Sequence, residues 1–184
     1  MTRMGTRETL ADLFRVDAED FDDEVELSCR THDLDTDRLA VTTADVPDAA
    51  GLEPGWFGSL SARERDLVRR LWVLDDAPLG ITISGPVYQD TPIVHANQTF
   101  REITGYSAVD VRGENLRKLQ GPDTDPGPVD SLREALDIWE PVTVELWNYR
   151  ADGTRFRNRV SLVPLYDDAG TIPNWVGLQE RVES

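Results

Sequence analysis

Lysine is nearly absent from this 184-residue chain: Lys118 is the only one among 19 basic residues, which face 35 aspartates and glutamates for a net charge of −16. A surface of that sign repels nucleic-acid phosphates, so no direct nucleic-acid binding is expected. Cysteine occurs once, at Cys29, which rules out an internal disulfide framework. No apolar run approaches the ~20 residues that cross a bilayer, and the opening MTRMGTRETLADLF carries no apolar leader. No membrane contact and a cytoplasmic location are the expectations. The usual machinery of catalysis is missing as well. There is no Ser/His/Asp set, no metal-ligand spacing and no phosphate-cradling glycine loop. The acidic stretch at 17–26 lacks the ordered ligands and central glycine of a calcium loop. Of the two histidines, His32 stands beside Asp33 as a solvated surface residue and His95 beside a strand as a structural one. The chain reads as no enzyme.

What is present is a hydrophobic share of 39%, enough for a globular core, in a length that suits one ordinary domain plus an extension. Residues 1–60 hold 15 acids against 5 bases, and the remainder 20 against 14. Short apolar runs at 10–14 and 39–42 sit among stretches such as DAEDFDDE, so 1–60 is expected to be a poorly packed acidic extension with one helix. A capping or linker helix over 61–77 follows. Ser61 and Glu64 fit a capping box, and Leu67, Val68, Leu71, Trp72 and Leu74 recur at helical spacing until Pro78 ends the run. Such a stripe calls for cover from a neighbouring domain or a second copy.

From 78 to 182 the pattern is that of an α+β domain. Strands are expected at 80–84 and 92–96, short helices at 97–105, 107–113 and 114–120, and a longer helix at 128–139. Three antiparallel strands follow, joined by the turns Ala151-Asp152-Gly153 and Asp167-Asp168-Ala169-Gly170. Alternation sorts their faces. Val142, Val144, Leu146 and Asn148 share one; Phe156, Asn158, Val160 and Leu162 another; Trp175, Gly177 and Gln179 a third, while Arg155, Arg157 and Arg159 point the opposite way. Each apolar face thus carries one neutral amide: Asn148, Asn158 and Gln179. A buried amide left unpaired costs ~1–3 kcal/mol. Two outcomes stay open. The amides pair with one another or with buried water, or they meet a planar ligand with a mixed donor and acceptor edge, which Gly177 would let approach the backbone.

The run Gly113-Glu114-Asn115-Leu116-Arg117-Lys118-Leu119-Gln120-Gly121-Pro122 resembles the G-x-N-C-R-x-L-Q-G-P signature of light-oxygen-voltage (LOV) domains, a branch of the PAS superfamily. The resemblance continues through residues 142–149, Asp152-Gly153, 156–158 and 176–179, and upstream through the N-x-x-F-x-x-x-T-G-Y helix at 97–106. It covers about 105 residues in order. It implies a five-stranded antiparallel sheet with helices on one face, enclosing flavin mononucleotide (FMN). By that resemblance Asn148 and Asn158 would bond the pyrimidine edge, and Gln179 would face ring atoms N5 and O4. Asn115 and Gln120 would hold the ribityl chain and ring edge, and Arg117 and Arg133 would clamp the phosphate, a task suited to guanidinium forks. Thr82, Ser84, Leu119, Val129 and Leu132 would line the cavity, together with Leu146, Val160, Trp175 and Gly177.

The chain departs from the family at Leu116, which stands where the adduct-forming cysteine is found. Leucine offers no nucleophile, so the cysteinyl adduct cannot form there, and Cys29, far upstream, reads as an inert small hydrophobe. Trp175 and Ser84 are lesser departures. The function implied is blue-light sensing by photoreduction of FMN to the neutral semiquinone, with an electron from Trp175, Trp147, Tyr149 or Trp139 and a reorientation of the Gln179 amide. A light-independent flavin redox sensor and a PAS interaction module without flavin are the alternatives. The outer sheet face, apolar at Trp147, Tyr149, Val176 and Leu178, suggests cover by the 61–74 helix or a homodimer partner. No residue pattern identifies a downstream signalling partner. The acidic, lysine-poor composition resembles that of proteins from cells that hold molar salt, where the Debye length is ~3 Å.

Overall fold

The computed structural model describes residues 5–183; the first four residues, part of the opening stretch read above for a leader, and Ser184 lie outside the described residues. The chain divides into two compact units, one ending at Pro78 and one beginning at Leu79. Among the described residues no helix is long and apolar enough to cross a membrane.

The first unit corrects the expectation of a poorly packed extension. Its described residues form five α-helices: α1 (Thr6–Leu13), α2 (Phe21–His32), α3 (Val46–Ala50), α4 (Pro54–Ser59) and α5 (Ala62–Val73). Its buried residues include Leu10 and Leu13 of α1, Phe21 and Val25 of α2, Val46 of α3 and Phe57 of α4. They are buried with Leu67, Val68 and Leu71 of α5, so α5 belongs to this unit rather than linking two. Two buried arginines of α5 knit the loops together. Arg70 donates to the carbonyls of Leu13 and Val16 (2.9 and 2.7 Å), satisfying the C-terminal end of α1. Arg69 donates to the carbonyls of Leu39 and Val41 and to both oxygens of Asp22. Burial holds the Arg70 pKa below its ordinary value, with Asp66 opposing the shift. His32 is likewise no solvated bystander: its two ring nitrogens bond the hydroxyls of Thr6 and Thr9 (3.2 and 3.1 Å), tying α2 to α1. At the start of α5 the capping box forms as expected, Ser61 Oγ accepting from the Glu64 amide at 3.1 Å and Glu64 from the Ser61 amide at 3.3 Å.

The second unit is a five-stranded antiparallel sheet of β1 (Gly80–Ser84), β2 (Ile93–Ala96), β3 (Val142–Tyr149), β4 (Arg155–Leu165) and β5 (Asn174–Val182), in the order β2-β1-β5-β4-β3. Helices α6 (Gln98–Thr104), α7 (Ala108–Val111) and α8 (Pro126–Ile138) and a 3₁₀ turn at Leu116–Leu119 come between β2 and β3. The expected helix at 114–120 shortens to that single turn, capped by Asn115, and α8 starts two residues early because Pro126 suits a first helical position. Fully buried Asn97 joins α6 to β1: its Oδ1 accepts from the amides of Ile81 and Phe100 (2.8 and 3.0 Å), and its Nδ2 donates to Leu79 O. Gly80 lets that helix sit close, since a Cβ there would lie 2.9 Å from Phe100 Cα. Leu146, Val160, Leu162 and Trp175 of the sheet pack against Val129, Leu132 and Leu136 of α8, and a second cluster joins Ile93, Phe100, Val111 and Leu119. Leu116 packs on both.

His95, on β2, is buried, and its pKa is pushed down to about 3, by burial first and then by Arg112 and Arg101. The folded chain therefore keeps it neutral where the unfolded chain takes up a proton near pH 6.5. Its contribution to stability is present above that pH and lost as pH falls toward 3. Urea unfolding followed by circular dichroism between pH 6.5 and 5 should lose up to about 1.4 kcal/mol per pH unit from this group, and His95→Gln should flatten the slope in that window.

Candidate functional site

A cavity of about 250 Å³ lies between the sheet and α8, near the lower end of the roughly 300–1,000 Å³ common for small-molecule sites. Its floor is the inward face of β3, β4 and β5: Leu146 and Asn148, Asn158, Val160 and Leu162, Trp175 and Gln179. The register sets the three amides on a diagonal. Asn148 opposes Phe156, two residues before Asn158, and Asn158 opposes Arg181, two residues after Gln179.

The three amides are not equivalent. Asn158 Nδ2 donates to Asn148 Oδ1 at 2.8 Å, and Asn158 Oδ1 accepts from the Glu180 amide at 3.2 Å. Asn148 Nδ2 donates to Trp147 O at 3.3 Å. These two are locked to each other and to backbone, the first of the two outcomes left open by the strand pattern. Gln179 is different: it is wholly buried, and neither Oε1 nor Nε2 has a hydrogen-bond partner. The Thr82 hydroxyl and the Trp175 indole N–H, also buried, are unpartnered too. An unpaired buried amide costs ~1–3 kcal/mol, so this cluster is held against its own preference by the surrounding packing.

Gly177 keeps the floor open. A Cβ there would collide with Thr82 Oγ1, approach Gln179 Nε2 at 2.9 Å and touch Leu116 at 3.4 Å. Thr82 and Gly177, paired across β1 and β5, thus border the amide rather than line the cavity; the other expected residues line it. Ser84 comes from β1, Leu116, Leu119 and Gln120 from the 3₁₀ turn and its end, and Val129 and Leu132 from α8. Leu136 and Leu162 are further lining residues that the pattern contained unused: Leu136 is one helical turn beyond Leu132, and Leu162 is two along β4 from Val160. Val87, Asp90, Thr91 and Asp137 had no such signal, since three lie in or just after a short 3₁₀ turn with no period and one is an exposed helix residue.

The mouth is charged. Arg117 puts both terminal nitrogens on the two carboxylate oxygens of Asp90, one at 2.8 Å. That hydrogen bonding holds the Asp90 pKa below its ordinary value and raises that of Arg117. Asn115 is spent on the same loop: Nδ2 donates to Asp90 O (2.8 Å) and Thr91 Oγ1 (3.0 Å), and Oδ1 accepts from the Arg117 amide. Arg133 pairs with Asp130 at 3.2 Å on the exposed side of α8. Of the aromatic residues singled out in the sequence, Trp175 alone lines the cavity. Trp147 faces away, with the Arg155 guanidinium 4.3 Å from its ring centre; Tyr149 accepts a bond from the Asp123 amide; and Trp139 is exposed at the end of α8.

This arrangement matches a known class. The PAS domain family model matches residues 78–180, so the chain belongs to that family. Its relatives place it in the LOV branch. It is 44% identical over 101 residues to blue-light-activated histidine kinase 1 of Erythrobacter litoralis, covering 55% of this chain and 28% of the kinase. It is also 44% identical over 109 residues to the bacterioopsin transcriptional activator of Halobacterium salinarum, covering 59% of this chain and 16% of that protein. Among solved structures, a LOV domain studied with a flavin analogue aligns at 42% identity and a TM-score of 0.58, covering 61% of this chain and 84% of that one. The light-state dimer of the fungal photoreceptor Vivid aligns at 31% identity and 0.54, covering 56% and 78%. The chain spans less than a third of the length of these curated relatives.

The relatives overturn the expectation of a non-enzyme. Three are blue-light-activated histidine kinases, which are enzymes, and the shared segment makes up 28%, 21% and 30% of them. The lack of a catalytic constellation in the shared segment carries no information about proteins of which it makes up less than a third.

The Gly177–Thr82 contact yields a test. Gly177→Ala should cost about 1–3 kcal/mol as an overpacking change, measured by denaturant unfolding. Adding Thr82→Ala should recover much of that loss, a coupling that a double-mutant cycle reads directly.

Proposed function

We propose that the unit from Leu79 onward binds flavin mononucleotide in this cavity and senses blue light without a cysteinyl adduct, as the input segment of a cytoplasmic signalling protein. The observation that carries the reading is Gln179, a buried carboxamide whose two polar atoms are unpaired while the neighbouring Asn148 and Asn158 are bonded to each other. A group so placed suits a ligand edge of acceptors to which Nε2 can donate, one of which turns donor on protonation and can then be met by Oε1. Gly177, where a Cβ would crowd Thr82 and Gln179 beneath Leu116, suits a flat ring lying close to β5.

When bound, the flavin supplies blue-light absorption, an excited state that oxidises aromatic side chains, and a ring nitrogen whose hydrogen-bonding character reverses on protonation. Gln179 answers that reversal by turning its amide over, which exchanges Oε1 and Nε2 without moving the backbone. The turn is cheap because neither atom has a protein partner to give up. Asn148 and Asn158, already bonded to each other, hold the ring edge and stay put. Trp175 walls the ring and is the aromatic donor nearest to hand. Leu116 closes the cavity from the helical side and excludes water where a thiol would react. Arg117 and Arg133 reach the phosphate by leaving Asp90 and Asp130. Likeness to the Vivid light-state dimer supports a homodimer, and the Halobacterium salinarum relative supports a salt-loving source for so acidic a chain.

The purified chain should be yellow, and blue light should bleach it to a reduced spectrum reversible in air. A chain that stays colourless and cannot be loaded with flavin would leave only an interaction module. Leu116→Cys should introduce a reversible adduct absorbing in the near ultraviolet. Gln179→Leu should keep the photoreduction yet abolish the light-induced change in hydrogen exchange along β5. Light scattering in dark and light should give twice the chain mass in at least one state; a monomer in both removes the dimer.

A further inference from the structure

We infer that the charge at the cavity mouth cancels the attraction for a phosphate, so the site selects a flavin by its ring and takes neutral riboflavin about as tightly as the mononucleotide, with Asp90 as the residue that decides this. The inference rests on the proposed flavin reading and specifies which flavins it admits.

Two guanidiniums line the mouth, those of Arg117 and Arg133, and two carboxylates line it with them, those of Asp90 and Asp137. Arg133 also carries Asp130. A phosphate approaching these five groups meets a net charge of −1, within a chain of net −16. The Asp90–Arg117 pair is more than half exposed, so breaking it costs little in itself. The obstacle is that the backbone carrying the carboxylate is fixed, so its charge stays at the mouth whichever way the side chain turns. Asp90 and Thr91 both sit at positive φ (66° and 43°), a conformation that few side chains adopt in succession. The turn is closed by the Asp90 amide on Val87 O (2.8 Å) and the Thr91 amide on Pro86 O (3.0 Å). Asn115, next but one to Arg117, anchors it again from the other side through Asp90 O and Thr91 Oγ1. A phosphate that took Arg117 would therefore lie beside a tethered like charge, and what Arg117 contributes Asp90 takes back. The ring end carries no such conflict, since its partners are neutral amides.

The test titrates ligand-free full chain with riboflavin and with FMN, reading quenching of flavin fluorescence at low and at molar salt. The two dissociation constants are expected within ~3-fold of each other, under 1 kcal/mol. Asp90→Asn keeps the Asn115 bond to the backbone and a residue that tolerates positive φ. It is expected to tighten FMN by ~10-fold at low salt, the size of a single close charge interaction near a protein surface. Riboflavin should be unchanged, and molar salt should erase the gain. Asp137→Asn, on an exposed helix position, should shift FMN the same way by ~3-fold and serves if the Asp90 variant fails to fold. Wild-type preference for FMN beyond ~3-fold overturns the inference while the flavin reading stands. Failure of both flavins to bind overturns both. Equal FMN affinity in wild type and folded variants overturns the role of Asp90.

Discussion

The second unit is organised around one costly group, the carboxamide of Gln179. It is enclosed completely, in a wall of Leu146, Val160, Leu162 and Trp175, with neither polar atom paired. A fold keeps such a group only where backbone pairing overrules it. β5 has that backing: as the central strand it is bonded to β1 on one side and β4 on the other, and Gln179 is paired in register with Gly80 and Val160. The lost bonds of one side chain are outweighed by a ladder of nine residues.

That position also explains how recognition and response can be divided among three similar amides. Asn148 and Asn158 bond one another, and Asn158 is pinned again by the backbone amide of Glu180. Rotating either would break a bond. Gln179 has none to break. In the function proposed, two fixed amides hold a ligand edge and the free one follows its chemistry. β5 carries Val176 and Leu178 on its opposite face, both fully buried, so a change of force at Gln179 bears on packing through the sheet. Bistability of this kind needs only a turned amide, not a moved strand.

Floor and mouth obey different electrostatics. The floor is enclosed and neutral, and single hydrogen bonds there count for most. The mouth is wet, its arginines and acids more than half exposed, and attraction there is traded among neighbours rather than added. An acidic chain with scarcely any lysine presents few cations that are not already matched. Arg69 and Arg70 of the first unit show the buried counterpart, each guanidinium consumed by carbonyls of the loops it gathers.

Local pattern was enough for the strands of the sheet, the Gly153 hairpin, the cap at Ser61 and the inward placement of Asn148, Asn158 and Gln179, since a period of two and a turn residue need only neighbours in the chain. The family resemblance, anchored in the 113–122 run and continued through the strands, added most of the lining residues. The first unit was not legible, because its core is gathered from five separate helices and its polar ties span tens of positions. Nor was the pairing of Arg117 with Asp90, 27 residues apart and joined through an irregular turn. The sequence by itself determined which side chains share a face and that Leu116 can supply no thiol. Only the tertiary structure decided that the last strand lies in the middle of the sheet, that two amides satisfy each other while the third stays unpaired, and that an acid guards the arginine, because each depends on contacts between segments that no local spacing encodes.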